Sequence, residues 1–230
     1  MAEVILVHGS CFGGRAWDRV APLLRDLGHK VCAIDLPGRG GGAVSLTDMG
    51  RSVALAVQGR GWLIGHSAGG YAITMAAELA PEKVAGLIYV AGYVPRAGAS
   101  VADLRRAGPS NPMRGTFRLS PDRQSYGFDP VAAQEMFFHD CAETEGLTDR
   151  LCLEPVAPQE TRFAALIHAP KLPRAAIIAT QDRAIPPDWQ RQMAAGMVQH
   201  DLASGHCPQL SCPEPLAARI DRIIHESPDR

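Results

Sequence analysis

No stretch of this sequence is apolar for long enough to cross a bilayer. The longest run, Val84 to Val94, holds two glycines and falls well short of the roughly 20 residues a spanning helix needs. Charge of one sign is also missing: 23 lysines and arginines face 24 aspartates and glutamates, a formal net charge of -1, and no basic block could track a phosphate backbone. Nucleic acid and membrane are therefore not expected partners. Cys11, Cys32, Cys141, Cys152, Cys207 and Cys212 show no Cys-x-x-Cys spacing, so a zinc site has no support and a reduced, cytoplasmic setting is expected. The opening MAEVILVHGS has an acid at Glu3 where an export signal carries bases, and His8 cuts its apolar run short, so no export is expected. Repeats and linkers are absent too. With 46% hydrophobic and 20% charged residues, disorder and coiled coil are excluded, and 230 residues suit one domain spanning 1–230.

Turn formers are in excess. The 23 glycines and 18 prolines make up about 18% of the chain against a usual ~12%, which implies many sharp turns between short elements. Short β-rich runs alternate with helical spacing, the pattern of a parallel α/β sheet. Strands are expected at Val4–Val7, Val31–Ile34, Trp62–Ile64, Val84–Val90, Ala175–Thr180 and Val198–Leu202. Between them lie helices around Trp17–Leu27, from a Ser45 or Thr47 cap through Val57, from Ala68 to Leu79, around Trp189–Met197 and from Glu214 to Ile224. The closing ESPDR is expected to fray. Over about 95–170 the alternation fails and prolines gather, leaving short helical patterns such as Val131–Cys141; this segment reads as a helical cap inserted over the sheet.

The strongest chemical signal is Gly65-His66-Ser67-Ala68-Gly69-Gly70, a G-x-S-x-G pattern between a strand and an apolar helix. A serine on so tight a turn sits in strained backbone, and side chains at Gly65 or Gly69 would collide with neighbouring elements. Ser67 is thus the candidate nucleophile, and the helix behind it offers N–H groups to a developing oxyanion. A hydroxyl needs a base. His206, in a loop between the last strand and the final helix, is the candidate, whereas His8 and His66 suit local structural bonds, His29, His200 and His225 read as surface positions, and His139 and His168 fall in the insertion. Asp182, directly after the fifth expected strand, is the orienting acid; Asp35 and Asp140 compete less well because neither lies between the nucleophile and His206 on the sheet framework. Backbone N–H groups of Ser10 and Ala68 are assigned to the oxyanion hole. Gly38-Arg39-Gly40-Gly41-Gly42-Ala43 fits a dinucleotide-binding pattern, but Pro37 intervenes, no apolar helix begins there and no acid follows at ribose distance, so a plain loop is expected.

With these residues placed, the chain resembles the α/β-hydrolase superfamily, within it the small branch of plant methylesterases, hydroxynitrile lyases and related bacterial esterases. The resemblance rests on Ile5–Gly9 (ILVHG), Cys11-Phe12-Gly13-Gly14 with Trp17, Asp35-Leu36-Pro37-Gly38, the GHSAGG segment, Gln181–Pro186, and Gly205-His206 ahead of Cys212–Pro215. It implies a roughly six-stranded, mostly parallel sheet with helices on both faces, a cap over a buried apolar pocket, a homodimer, and cofactor-free, metal-free cleavage of a small or aromatic carboxylic ester. The lyases carry threonine where Gly9 stands and lysine where Cys207 stands, so ester hydrolysis is favoured; Cys207 also departs from the methionine common in the esterases. Pocket candidates are Cys11, Met136, Phe137, Phe138 and Cys207. The alternatives are a ligand receptor with an idle triad, a thioesterase, a lactonase, a carbon–carbon hydrolase or a hydroxynitrile lyase.

Overall fold

The computed structural model describes residues 1–143 and 145–227. In chain order its first half runs β1 (Glu3–Val7), a single 3-10 turn, α1 (Ala21–Asp26), β2 (Lys30–Ile34), α2 (Leu46–Ala56), β3 (Gly61–His66), α3 (Gly69–Leu79) and β4 (Val84–Val90). A long segment follows with α4 (Val101–Ala107), β5 (Phe117–Leu119), β6 (Ser125–Phe128), α5 (Pro130–Phe137), β7 (Glu154–Pro155) and α6 (Val156–Glu160). The chain then returns to the sheet through β8 (Arg174–Ala179), α7 (Pro187–Met193), β9 (Val198–Leu202), α8 (Pro208–Ser211) and α9 (Pro213–Glu226). Positions 228–230, where fraying was expected, lie outside the described residues, and α9 itself holds through Glu226.

Six strands pair in parallel in the order β2-β1-β3-β4-β8-β9. Covering both faces with helices is what lets the inner strands read as unbroken apolar runs: β1 and β4 are buried along almost their whole length. Both edge strands are wetter, and β9 carries Gln199, His200 and Asp201, which discourages pairing with another chain. Helices α2 and α3 pack on each other, as do α1 and α9. Ser45, not Thr47, caps α2, through a reciprocal capping box with Asp48; Ser100 and Asp103 repeat the device on α4. Among the described residues no helix is long and apolar enough to cross a membrane.

The strand order reverses between β1 and β3: the chain leaves β1 toward β2 on one side and leaves β3 toward β4 on the other. Loops that diverge in this way open a crevice at the carboxyl ends of the strands. Four of the expected site residues stand at that edge: Ser10 after β1, Ser67 after β3, Asp182 after β8 and His206 after β9.

The segment between β4 and β8 differs from the helical insertion expected. It contains α4, α5 and α6, but also an antiparallel sheet in the order β5-β6-β7, with Phe117 opposite Phe128 and Leu119 opposite Tyr126. Strands of two to four residues are too short to display a period of two, which is why the sequence did not reveal them. The Gly38–Gly42 run forms a turn with positive φ at Gly38, Gly40 and Gly41, and α2 begins only at Leu46.

The turn after β3 is closed in by backbone on both flanks. A Cβ on Gly69 would stand 2.5 Å from the His8 carbonyl oxygen, and one on Gly65 2.8 Å from the Gly69 backbone. Backbone cannot swing aside as a side chain can. Gly69→Ala should therefore destabilise the protein by about 1–3 kcal/mol, read as a fall of several degrees in the thermal midpoint. Gly42→Ala, whose Cβ would meet nothing closer than 3.8 Å, should leave the midpoint unchanged or slightly higher.

Candidate active site

Ser67 is held at φ +51, in the left-handed region that a residue with a side chain enters only at a cost. Two backbone bonds hold it there: its N–H donates to Val90 O and its carbonyl accepts from Tyr93 N–H. The hydroxyl is thereby presented to His206, whose Nε2 lies 3.2 Å from Ser67 Oγ. On the other side of the ring, Nδ1 lies 2.8 Å from Asp182 Oδ2. With Nδ1–H donating to the carboxylate, Nε2 is left to accept from the serine hydroxyl.

Asp182 has every lone pair in use. Ala184 N–H and Ile185 N–H donate to Oδ1 at 2.7 and 2.9 Å, and Gln190 Nε2 shares Oδ2 with the imidazole at 2.8 Å. Gln190 is fixed in turn by Ile185 O and Ala179 N–H, so the carboxylate cannot rotate away. Nothing in the sequence marked Gln190, one of several polar residues in a short helix. Asp140 is tied to the same loop in a different way: its carboxylate accepts from Gly205 N–H at 2.5 Å and so fixes the residue preceding His206. Asp35 accepts from Gly14 N–H and pairs with Arg39, both in the loops after β1 and β2.

His66 and His8 fill structural places, as their positions suggested. His66 donates from Nε2 to His206 O at 2.9 Å and stacks against the His206 ring at 4.9 Å. Burial, reinforced by the neighbouring His206, holds its pKa well below the usual histidine value, so it adds no positive charge beside His206. His8 bridges Gly9 O and Leu36 N–H, and burial lowers it to about 4. His29, expected at the surface, is instead buried, with Nε2 2.8 Å from Asp221 Oδ1 on α9. His29, Asp221 and His225 form the one group among the described residues whose potential metal-binding atoms all lie within 4.8 Å of one another, and it shares no residue with the serine pocket.

The Ser10 and Ala68 N–H groups have no hydrogen-bond partner among the described residues, and both residues line the same pocket as Ser67 and His206. Ala68 is also the N-cap of α3, where the positive end of the helix dipole reinforces an unused donor. A hydroxyl, an imidazole, a carboxylate and two unused donors around one pocket are the parts needed for acyl transfer.

That pocket is narrow, about 20 Å³ beside Ser67, and rich in aromatic side chains, with Phe12, Phe117, Tyr126, Phe128 and Phe137 among those that line it. Of the five residues put forward for it, only Phe137 does so. Met136 and Phe138 flank Phe137 in sequence, but successive helical side chains point about 100° apart, so three in a row cannot share a face. Met136 packs on the core edge and Phe138 against Phe12 in a neighbouring cavity. Cys11 and Cys207 are fully buried away from the pocket, and burial pushes both thiols up. Tyr93, Val101, Arg105, Met113 and Gln159 complete the lining. All but Tyr93, which stands near the end of the apolar run that begins with β4, come from the irregular segment, where no periodicity pointed to them.

Residues 4–219 match the alpha/beta hydrolase family. The chain belongs to that family. It is 30% identical to a pyrethroid hydrolase of Sphingobium wenxiniae, over 96% of this chain and 86% of that one, and 27% identical to methylesterase 1 of Arabidopsis thaliana, over 93% and 92%. The crystal structure of a pyrethroid hydrolase from Sphingobium faniae superposes on this hydrolase with a TM-score of 0.88 at 27% identity, covering 98% of each chain.

The loop after β1 in this hydrolase is clamped from above by β7. Glu154 Oε2 accepts from Cys11 N–H at 3.1 Å, and Cys152 N–H donates to Cys11 O at 2.9 Å. Burial pushes the Glu154 carboxyl up to about 7, against 4.5 when unfolded. Between those values the folded protein keeps a proton that the unfolded chain has lost, so this group withdraws stability as pH rises through the window. Glu154→Gln, which can still accept from Cys11 N–H, should raise the urea midpoint above pH 7 and leave it nearly unchanged below pH 4.5.

Proposed function

We propose that Ser67, His206 and Asp182 form the catalytic triad of a serine esterase acting on small or aromatic carboxylic esters through an acyl-enzyme. The chain is a carboxylic ester hydrolase. The observation that carries the residue assignment is the continuous relay from Asp182 Oδ2 through His206 to Ser67 Oγ, at 2.8 and 3.2 Å, ending on a serine in strained backbone.

In this reading His206 Nε2 takes the Ser67 proton as Oγ attacks the ester carbonyl, and the imidazolium that forms is stabilised by Asp182. Negative charge collects on the carbonyl oxygen, which the Ser10 and Ala68 N–H groups receive. His206 then gives its proton to the departing alcohol. Water, deprotonated by the same ring, releases the acid and restores the serine. The serine proton passes between groups already within reach, and the same ring serves the later transfers, so the steps balance without a cofactor. Gly9 and Cys207 leave no hydroxyl or ammonium beside His206 of the kind that lyases resembling this chain carry, which supports hydrolysis over cyanide elimination.

The aromatic lining suits a flat or compact apolar group next to the ester, in keeping with relatives named for methyl esters and pyrethroids. Labelling with a fluorophosphonate tests the nucleophile: rapid, stoichiometric modification at Ser67, abolished in Ser67→Ala, is expected. Negligible labelling of the intact protein would instead indicate a ligand receptor with an idle serine. Ser67→Ala should also lower nitrophenyl-ester kcat by several orders of magnitude.

Asp182→Asn should lower kcat by about 10⁴-fold with little change in fold. The Ala184 and Ile185 N–H groups will claim the amide oxygen, turning the NH2 toward His206 Nδ1. The ring proton is then forced onto Nε2, where it faces the serine. Steady-state kinetics together with the thermal midpoint separate this tautomer effect from unfolding.

A further inference from the structure

Two cavities meet at Arg105. One is the narrow pocket with Ser10, Ser67 and His206; the other is an outer cleft of about 330 Å³ lined by Arg105, Phe117, Leu119, Arg123, Tyr126, Val156, Gln159 and Glu160. Phe117, Tyr126 and Gln159 are also common to both, so the cleft adjoins the serine pocket across these few side chains.

The Arg105 guanidinium makes no hydrogen bond or ion pair among the described residues. It lies over the face of Phe117, 4.3 Å from the ring centroid, a contact that steadies the planar group without using any of its donors. The nearby acids are already committed. Asp103, on the same helix, serves Ser100, Arg106 and Arg162, while Glu160 in the cleft wall is 2.9 Å from Arg106. Arg123, at the outer end of the cleft, likewise has no acidic partner among the described residues.

A second, independent feature is Gln159. It is buried to 7% exposure, its carboxamide makes no hydrogen bond among the described residues, and it lines both cavities. The residue is nearly enclosed, yet its amide is committed to no protein partner and opens to the cavities, where a ligand can reach it. A five-donor guanidinium and an unused amide that line the same two cavities match the planar, bidentate geometry of a carboxylate.

The geometry points to a carboxylate subsite formed by Arg105 and Gln159, with Arg123 at its rim, so that the hydrolase takes esters that carry an ionised carboxylate away from the ester group. This rests on the esterase reading and narrows its substrate class. The carboxylate belongs either to the acyl part, as in a half-ester of a dicarboxylic acid, or to the alcohol part, as in an acetylated hydroxy acid. The subsite accepts the same group in both.

The test compares kcat/KM for monomethyl and dimethyl esters of succinic, glutaric, adipic and terephthalic acids, and for O-acetyl hydroxy acids against their methyl esters. In at least one series the charged member should be preferred by about 10-fold or more, the size of a charge-assisted hydrogen bond. Whichever series shows it assigns the carboxylate to the acyl or the alcohol side. The preference should shrink with added salt, collapse in Arg105→Gln and survive in part in Arg105→Lys. Because each comparison is a ratio within one protein, general loss of activity cancels. Neutral esters cut as well as or better than charged ones in every series would overturn the subsite while leaving the esterase intact, and so would a preference unmoved by Arg105→Gln. Calorimetric titration of Ser67→Ala with adipate and terephthalate reads the subsite without turnover: binding that Arg105→Gln weakens supports it, and no binding of either dianion overturns it. Absent fluorophosphonate labelling would count against the esterase reading alone.

Discussion

The left-handed backbone at Ser67 is the constraint to which the rest of the catalytic edge conforms. To raise the hydroxyl above the sheet, the chain must turn from strand to helix at one residue, and that turn leaves no room for side chains at its two flanks. Gly65 and Gly69 give way to each other and to His8 O; Gly9 gives way to Ser67 itself, whose Cβ would be 2.8 Å from a side chain there. The strain is held by the parallel sheet, through the bonds that Val90 and Tyr93 make to Ser67. A rigid, fully paired sheet edge is what such a turn requires, and the six-stranded core supplies it.

Around that turn, position is enforced mainly by saturation. Asp182 engages four donors, Gln190 three partners and Gly205 the Asp140 carboxylate, so the base can hold few orientations. The groups proposed to receive the substrate are the opposite case: the Ser10 and Ala68 N–H groups, the Gln159 amide and the Arg105 guanidinium have no hydrogen-bond partners among the described residues. At this site the groups that hold the base are engaged, while those proposed to meet the substrate are left open.

The sheet and the residues of the proposed triad were legible because local chemistry marks them. Unbroken apolar runs marked β1 and β4, and the glycines about Ser67 are a steric requirement that few other turns share. Chain order then pointed to Asp182 and His206. The cap was not legible in the same way. Its strands are too short for a period, its helices too short for a stripe, and the reading of Met136, Phe137 and Phe138 as one surface ignored the 100° step between helical neighbours. His29 failed for another reason: its burial depends on Asp221, 192 positions later, and no local pattern carries that. What the sequence concealed was everything fixed by long-range contact alone.

The clamp of β7 on the loop after β1 has a consequence for how the molecule is made. Cys11 takes its side-chain and backbone anchors from Glu154 and Cys152, and Ser67 meets its imidazole 139 positions downstream. A chain emerging from the ribosome exposes its serine early, yet the loop beside it has no lid strand until residue 154 appears and the relay has no base until residue 206 does. Synthesis order thus delays assembly of the arrangement: Ser67 has no imidazole beside it through most of elongation, and the relay closes only after the last strand has been made.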